Sequence, residues 1–252
     1  MIFPQTWQSH LTKPPNNRDI ATFDPTLNQN DVHSWMLSQN QTQSCVDSLK
    51  KWLSDDEKNR ASQFYTPQLQ NRYVVRRAIL RYLLGRYTQI EPAKLNFTYG
   101  RNNKPHLPDS KIHFNLSHSE DIAMIAVSRH RLGIDIEAVK SISDITLIAQ
   151  RHFAPIEQTD LFSYTPDQQT AAFYHYWTLK EAFIKRDGRG LEIPLDSFAM
   201  TPYLQQPPQI CFVNYDDRPA ENQTVAKLPA PEGFAAALIV DITSANITTD
   251  VV

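Results

Sequence analysis

Apolar residues recur along this chain with two periods, and the changes of period divide it into elements. Residues 31–37 read as a first strand. Residues 43–53 carry Val46, Leu49 and Leu53 as a helical stripe. Ser54 and Glu57 have capping-box spacing and open the next turn. Thr66-Pro67 pairs an N-cap with proline at the first helical position, so a helix is predicted from there to about Tyr87. Val75, Ala78, Ile79, Tyr82 and Leu83 form its apolar face. Arg72, Arg76, Arg77, Arg81 and Arg86 lie largely on the other side. They are either a solvated face or a set with one or two members turned into a phosphate-binding cleft. A turn-forming run, Gly100 to Pro105, comes next. Strands are predicted at 111–117, 122–128 and 132–137, then a helical pattern from Ser143 through His152. A long helix starts at Asp167, and strands follow at 198–200, 210–214, 225–228 and 234–240. Residues 1–30, rich in Pro, Asn and Gln, read as an irregular lead-in, and 241–252 as a polar, frayed end. The order strand, helices, strands thus occurs twice, an α+β pattern with no residue-level repeat and a join near 128–133.

Three stretches carry candidate chemistry. In the last long helix, Phe173, Trp177, Lys180 and Ile184 share one face, and Trp177, Glu181 and Lys185 form an adjacent row. Gly188 and Gly190 supply the left-handed freedom of its C-terminus. Alone, this is an amphipathic helix with a solvated Glu–Lys pair. The strand Gly133-Ile134-Asp135-Ile136-Glu137 puts Asp135 and Glu137 on one face and both isoleucines on the other. Two neighbouring carboxylates repel unless a cation or proton intervenes. With Glu181 they make a three-oxygen set suited to a hard divalent ion such as Mg2+; the plain alternative is a solvated strand face. Phe114-Asn115-Leu116-Ser117-His118-Ser119 leaves Ser117 and His118 at a strand end.

Composition narrows the class. A chain of 252 residues can hold one large or two small domains. A net charge of −2 gives no global field for nucleic acid. Cys45 and Cys211 are too few for a disulfide framework or a thiolate zinc site, and suit a reduced, cytoplasmic setting. The start, MIFPQTWQSH, lacks the basic-then-apolar pattern of a signal peptide, and no apolar run approaches the ~20 residues of a membrane span.

FNLSHS, GIDIE and WTLKEAFIK, in that order and at these separations, resemble the 4′-phosphopantetheinyl transferases of the monomeric, two-half (Sfp-type) class, over about Ser54 to Leu195. The resemblance implies two similar α+β halves, 1–130 and 131–252, related by a pseudo-twofold axis, with the active site at their interface. It implies transfer of the 4′-phosphopantetheine arm of coenzyme A to a serine of an apo acyl or peptidyl carrier protein, releasing 3′,5′-ADP. Mg2+ would be required, with Mn2+ able to substitute. Asp135, Glu137 and Glu181 match the family's metal ligands, and Glu181 also its candidate base. Lys180 and Lys185 match its basic pair, His118 and Ser117 its contacts to the CoA phosphates, and Lys104 a residue reaching the nucleotide end. Glu181, Lys185 and His118 are thereby the catalytic set. Arg60 falls where the family has a cation near the 3′-phosphate. Some members carry a second cation where this chain has Glu57, and Arg72 is the first choice to replace it. Two other readings share these residues: a non-catalytic CoA or carrier-protein binding module, and a metal-dependent phosphohydrolase. The intact acidic set and both lysines favour the transferase.

Overall fold

The structure is a computed structural model and describes residues 16–17, 25–213 and 222–252. Most of the lead-in, and Asn214 of the strand expected at 210–214, lie outside the described residues. The first half contains β1 (Asn16–Asn17), β2 (Asp31–Ser38), α1 (Gln43–Leu49), α2 (Asp55–Ser62) and α3 (Pro67–Thr88). It continues with β3 (Thr98–Tyr99), β4 (Pro105–His106), β5 (His113–Ser119) and β6 (Ile122–Ser128). The second half contains β7 (Leu132–Ala138), α4 (Ile145–His152), α5 (Pro155–Ser163) and α6 (Pro166–Asp187). Then come β8 (Phe198–Met200), β9 (Ile210–Val213), β10 (Thr224–Lys227), β11 (Phe234–Val240) and β12 (Asn246–Val251).

The two halves repeat one plan. In the first, β2 pairs antiparallel with β6, and β6 with β5. In the second, β7 pairs antiparallel with β11, and β11 with β10. Each half carries a 22-residue helix that follows a threonine N-cap and starts with proline, and that ends on a left-handed residue, Gln89 after α3 and Gly188 after α6. The molecule is therefore α+β in two similar halves. α5, which the apolar spacing did not predict, begins with Pro155 and places Glu157 in its first turn.

Alternation along the strands decides the layers. Even-numbered residues of β2 and β6, such as Val32, Met36, Ile122 and Met124, meet Ile134, Ile136, Leu238 and Val240 in a core between the two sheets. Odd-numbered Trp35, Leu37, Ile125 and Val127 face α1 and α3. On the far side, Ala237 and Ile239 of β11 face α6. The halves thus pack sheet against sheet, with helices outside.

One expectation is overturned here. The polar end, 241–252, is not frayed: residues 246–251 form β12, which runs parallel to β2 and lies between β1 and β2 in the first half's sheet. Its Ile247 and Val251 pack against the inter-sheet core, and Val252 is buried. A strand filled with threonine and asparagine holds its place by backbone pairing on both sides, which polarity alone does not reveal. No helix among the described residues is long and apolar enough to cross a membrane.

Candidate active site

The site lies where β5 and β7, one edge from each sheet, run side by side. Side chains stitch these strands together. Asn115 Oδ1 accepts from the Ile134 N–H (2.9 Å), Ser117 Oγ donates to Asp135 Oδ1 (2.8 Å), and Ser119 Oγ donates to Glu137 Oε2 (2.8 Å) while accepting from the Ala138 N–H (3.0 Å). Period two puts Asn115, Ser117 and Ser119 on one face of β5, so the polar letters of FNLSHS form a ladder across the seam.

The alternation in GIDIE has a matching purpose. Ile134 and Ile136 enter the inter-sheet core, while Gly133, Asp135 and Glu137 face α6. A Cβ on Gly133 would fall 2.0 Å from the Ala182 carbonyl oxygen and 2.3 Å from the Arg186 nitrogen. Only glycine lets α6 lie this close. That approach brings Lys185 Nζ to 2.6 Å from Asp135 Oδ1 and 3.0 Å from Ser117 Oγ. Glu181 stands one turn before Lys185 on the same face.

Charge is concentrated here. Asp135 is buried, and its second oxygen, Oδ2, has no hydrogen-bond partner. Burial pushes the Glu181 carboxyl above its ordinary range; Asp135 and Glu137 push it further, and Lys185 opposes them. Glu137 is raised by burial and then by Asp135, against its hydrogen bond from Ser119. Among the described residues Glu181 has no hydrogen bond or ion pair, so it stands ready for a ligand or a proton. As they stand, no three His, Cys, Asp or Glu side chains among the described residues are gathered closely enough to hold an ion. The donor set still fits a hard cation: three carboxylates, one with an unpartnered buried oxygen, and repulsion that a positive charge relieves. Lys185 supplies that charge to Asp135 here.

His118 follows Ser117 on β5 and points to its other face. Its side chain reaches solvent, yet surrounding protein, and then the cations Arg76, Lys185 and Arg72, hold its pKa down at about 4. Arg72 donates to Asn40 Oδ1 (3.0 Å) and to the Glu120 carbonyl (2.9 Å). Arg60 is exposed, in a surface depression with Asp56, Asn59, Gln63 and Phe64, and its charge is felt at Arg76.

Three sequence expectations need correction. Lys180 is not a phosphate ligand but a fully buried cation, ion-paired to Glu157 (2.8 Å) and donating to the Leu195 (2.6 Å) and Phe198 (2.7 Å) carbonyls. Its place in the row with Phe173 and Ile184 already put it inside; the missing fact was α5, which brings Glu157. Lys104 does not stand free for a nucleotide. Its ammonium donates to the carbonyls of Leu132 (3.0 Å), Lys185 and Arg186 (3.4 Å), tying the β3–β4 segment to the C-terminal end of α6. Burial, and then Arg131 and Arg186, lower its pKa to about 8. Glu57 is a buried counter-ion: it accepts from the Ser54 N–H (3.2 Å) and pairs with Arg77 and Arg81. Arg81, expected on the polar face of α3, is therefore buried, where it also donates to the Pro92 (2.8 Å) and Leu95 (2.9 Å) carbonyls.

The seam between the two like halves thus gathers Asp135, Glu137, Glu181 and Lys185, with Arg72 and Arg76 close enough to act on His118. Residues 33–130 match the family model described as 4′-phosphopantetheinyl transferase, N-terminal, and residues 131–239 the model of the 4′-phosphopantetheinyl transferase superfamily. The chain is 38% identical over 207 residues to the 4′-phosphopantetheinyl transferase HetI of Nostoc sp., covering 80% of this chain and 83% of that protein. It is 37% identical over 152 residues to the 4′-phosphopantetheinyl transferase Sfp of Bacillus subtilis (59% and 66% covered). It is also 32% identical over 173 residues to the 4′-phosphopantetheinyl transferase gsp of Aneurinibacillus migulanus (68% and 70% covered). The chain belongs to the 4′-phosphopantetheinyl transferase superfamily, and is an enzyme of the transferase class.

Proposed function

We propose that this protein moves the 4′-phosphopantetheine arm of coenzyme A onto a serine of an apo acyl or peptidyl carrier protein and releases 3′,5′-ADP. The observation that carries this reading is the convergence, across one seam, of Asp135, Glu137 and Glu181 with Lys185, Ser117 and His118.

The chemistry breaks the pyrophosphate bond of CoA and forms a phosphodiester to the serine. Phosphoryl transfer depends mostly on positioning and on neutralising charge. Lys185, bridged to Asp135 and Ser117, is placed to meet developing charge on the transferred phosphate. His118 offers a neutral imidazole to a phosphate oxygen. Glu181, with a raised pKa and no partner among the described residues, is suited to take the serine proton. Asp135, Glu137 and Glu181 would hold Mg2+, which would supply positive charge to neutralise the phosphates. That both halves of the site lie in one chain supports action as a monomer.

The test incubates apo carriers of the fatty-acid, polyketide and peptide-synthetase types with the protein, CoA and Mg2+, and follows intact mass. The expected result is a gain of one phosphopantetheine arm on serine, abolished by excess chelator. Undiminished transfer in chelator would remove the metal. A folded protein that binds CoA but modifies no carrier would instead be a binding module, and one that splits CoA without a carrier a hydrolase.

A further inference from the structure

The last turn of α6 is held from outside the helix. The final four carbonyls of a helix find no ordinary partner within it. In α6 they belong to Ile184, Lys185, Arg186 and Asp187. The Gly188 N–H donates to Ile184 (2.9 Å), so local capping stops one residue before Lys185. The other three accept from cations of distant segments. Lys104 Nζ donates to Lys185 and to Arg186 (3.4 Å), and Arg131 to Arg186 (3.4 Å) and to Asp187 (2.5 Å).

Lys104 reaches further than Arg131. Its third acceptor is the carbonyl of Leu132, the first residue of β7 (3.0 Å). One ammonium from the first half thus joins the start of β7 to the end of α6. Those two elements carry Asp135 and Lys185, whose side chains meet at 2.6 Å. The stem of Lys104 lies along Gly188, where an added Cβ would stand 3.7 Å from the lysine Cδ. Asn102, in the same loop, extends the grip: its Nδ2 donates to the Arg189 carbonyl and to Glu192 Oε1 (3.3 Å). A lysine ammonium has three N–H donors, and three carbonyls take those of Lys104.

The residue whose carbonyl Lys104 holds is also the one whose ammonium bridges Asp135 and Ser117. A loosened last turn would let the Lys185 backbone drift, and a displacement of about 1 Å at a reacting group can cost roughly 10²-fold in rate. We propose that Lys104 is a positioning residue for the transfer: it fixes the backbone of Lys185, and so the place of that ammonium against the transferred phosphate, without touching CoA itself. This rests on the transferase reading above. It gives Lys104 a part different from the nucleotide contact that its motif implies.

The experiment compares wild type, Lys104→Met, Lys185→Met and the double variant. Lys104→Met keeps an unbranched stem and removes the donors. Its kcat is expected to fall roughly 10- to 100-fold. The KM for CoA, and the calorimetric Kd for adenosine 3′,5′-bisphosphate, should stay within about 2-fold. Added to Lys185→Met, the same change should alter kcat less than about 2-fold, because no ammonium is left to position. Hydrogen exchange at the Gly188 amide should quicken roughly 10-fold in Lys104→Met. A weaker Kd for the bisphosphate with kcat intact would make Lys104 a nucleotide ligand and overturn the proposal. Equal kcat losses in the two backgrounds would overturn it too, since Lys104 would then act by a route other than Lys185. If Lys104→Met does not fold, Lys104→Arg carries the same comparison: the charge is kept, but a planar fork does not cup three carbonyls, so kcat should fall while Kd holds. Failure of the transferase reading looks different: wild type itself then transfers nothing, while exchange at Gly188 still decides whether Lys104 holds the helix end.

Discussion

At pH 7 the imidazole of His118 is neutral, because its pKa lies near 4. Surrounding protein and three cations disfavour the imidazolium, and a phosphate arriving among them has the opposite effect. The pKa of His118 is therefore expected to rise on saturation with adenosine 3′,5′-bisphosphate, with proton uptake at pH values between about 4 and the new pKa. NMR titration of the histidine signals checks this, and an unmoved pKa would place His118 away from the phosphates. Glu181 shows the reverse sign. Its carboxyl is raised, so the ionised form is penalised in the folded state. That penalty is fully present above the folded pKa and absent below the unfolded one. Glu181→Gln should thus raise Tm at neutral pH, and the gain should shrink on acidification. The same change should lower turnover about 10²–10⁴-fold if Glu181 takes the serine proton. Calorimetric melts across pH and the carrier mass assay read the two effects separately. A folded variant with undiminished turnover would remove Glu181 from the chemistry.

Helix α6 places Glu181 and Lys185 through two contacts that lie away from these side chains. Gly133 sets its distance from β7, and Lys180 ties it to α5 and β8 through Glu157 and the Leu195 and Phe198 carbonyls. The pair is fully buried; burial pushes Glu157 up and Lys180 down, and their mutual attraction opposes both shifts. Lys180→Met leaves Glu157 without its cation and is expected to cost about 3–5 kcal/mol. Adding Glu157→Leu should recover only part of that loss, because it removes the unpaired charge but leaves the Ala154 and Met200 N–H groups, which donate to Glu157, without an acceptor. Urea melts measure both, and a fully stable single variant would show that the pair holds nothing. The sequence spacing had already set Lys180 on the buried row of α6. Spacing alone does not show the buried carboxylate of Glu157 that partners it.

Across the whole molecule, the last strand closes the first half. β12 lies between β1 and β2, so removing residues 246–252 would leave β2 as an unprotected edge and strip Val252 from the core. Truncation after Ala245 is expected to lower Tm and to promote association through the bare edge, as read by thermal melts and light scattering. An unchanged Tm would mean that the sheet does not depend on this strand.

The elements that sequence determined are those with local causes. Thr66-Pro67 and the apolar stripe made α3, the alternation in GIDIE made β7, and Gly188 ended α6 with φ +92. Period placed Asp135 beside Glu137 on one face of β7 and Glu181 beside Lys185 on one face of α6, whereas His118, on the opposite face of β5 from Ser117, stood out only through its motif. Thr165-Pro166 opens α6 as Thr66-Pro67 opens α3, each a helix of 22 residues, a parallel between the halves that became visible only in the structure, the sequence having placed the start of α6 at Asp167. Tertiary structure alone decided the rest, because it depends on partners distant in the chain. β12 is a strand because β2 lies beside it, 215 positions earlier at Asn246 and Asp31. Glu57 and Glu157 remove Arg77, Arg81 and Lys180 from the pool of free cations, and Lys104 spends its ammonium on α6. A sequence shows which charges a chain carries; which of them remain available to a substrate is settled only when folding brings each one to its counter-ion.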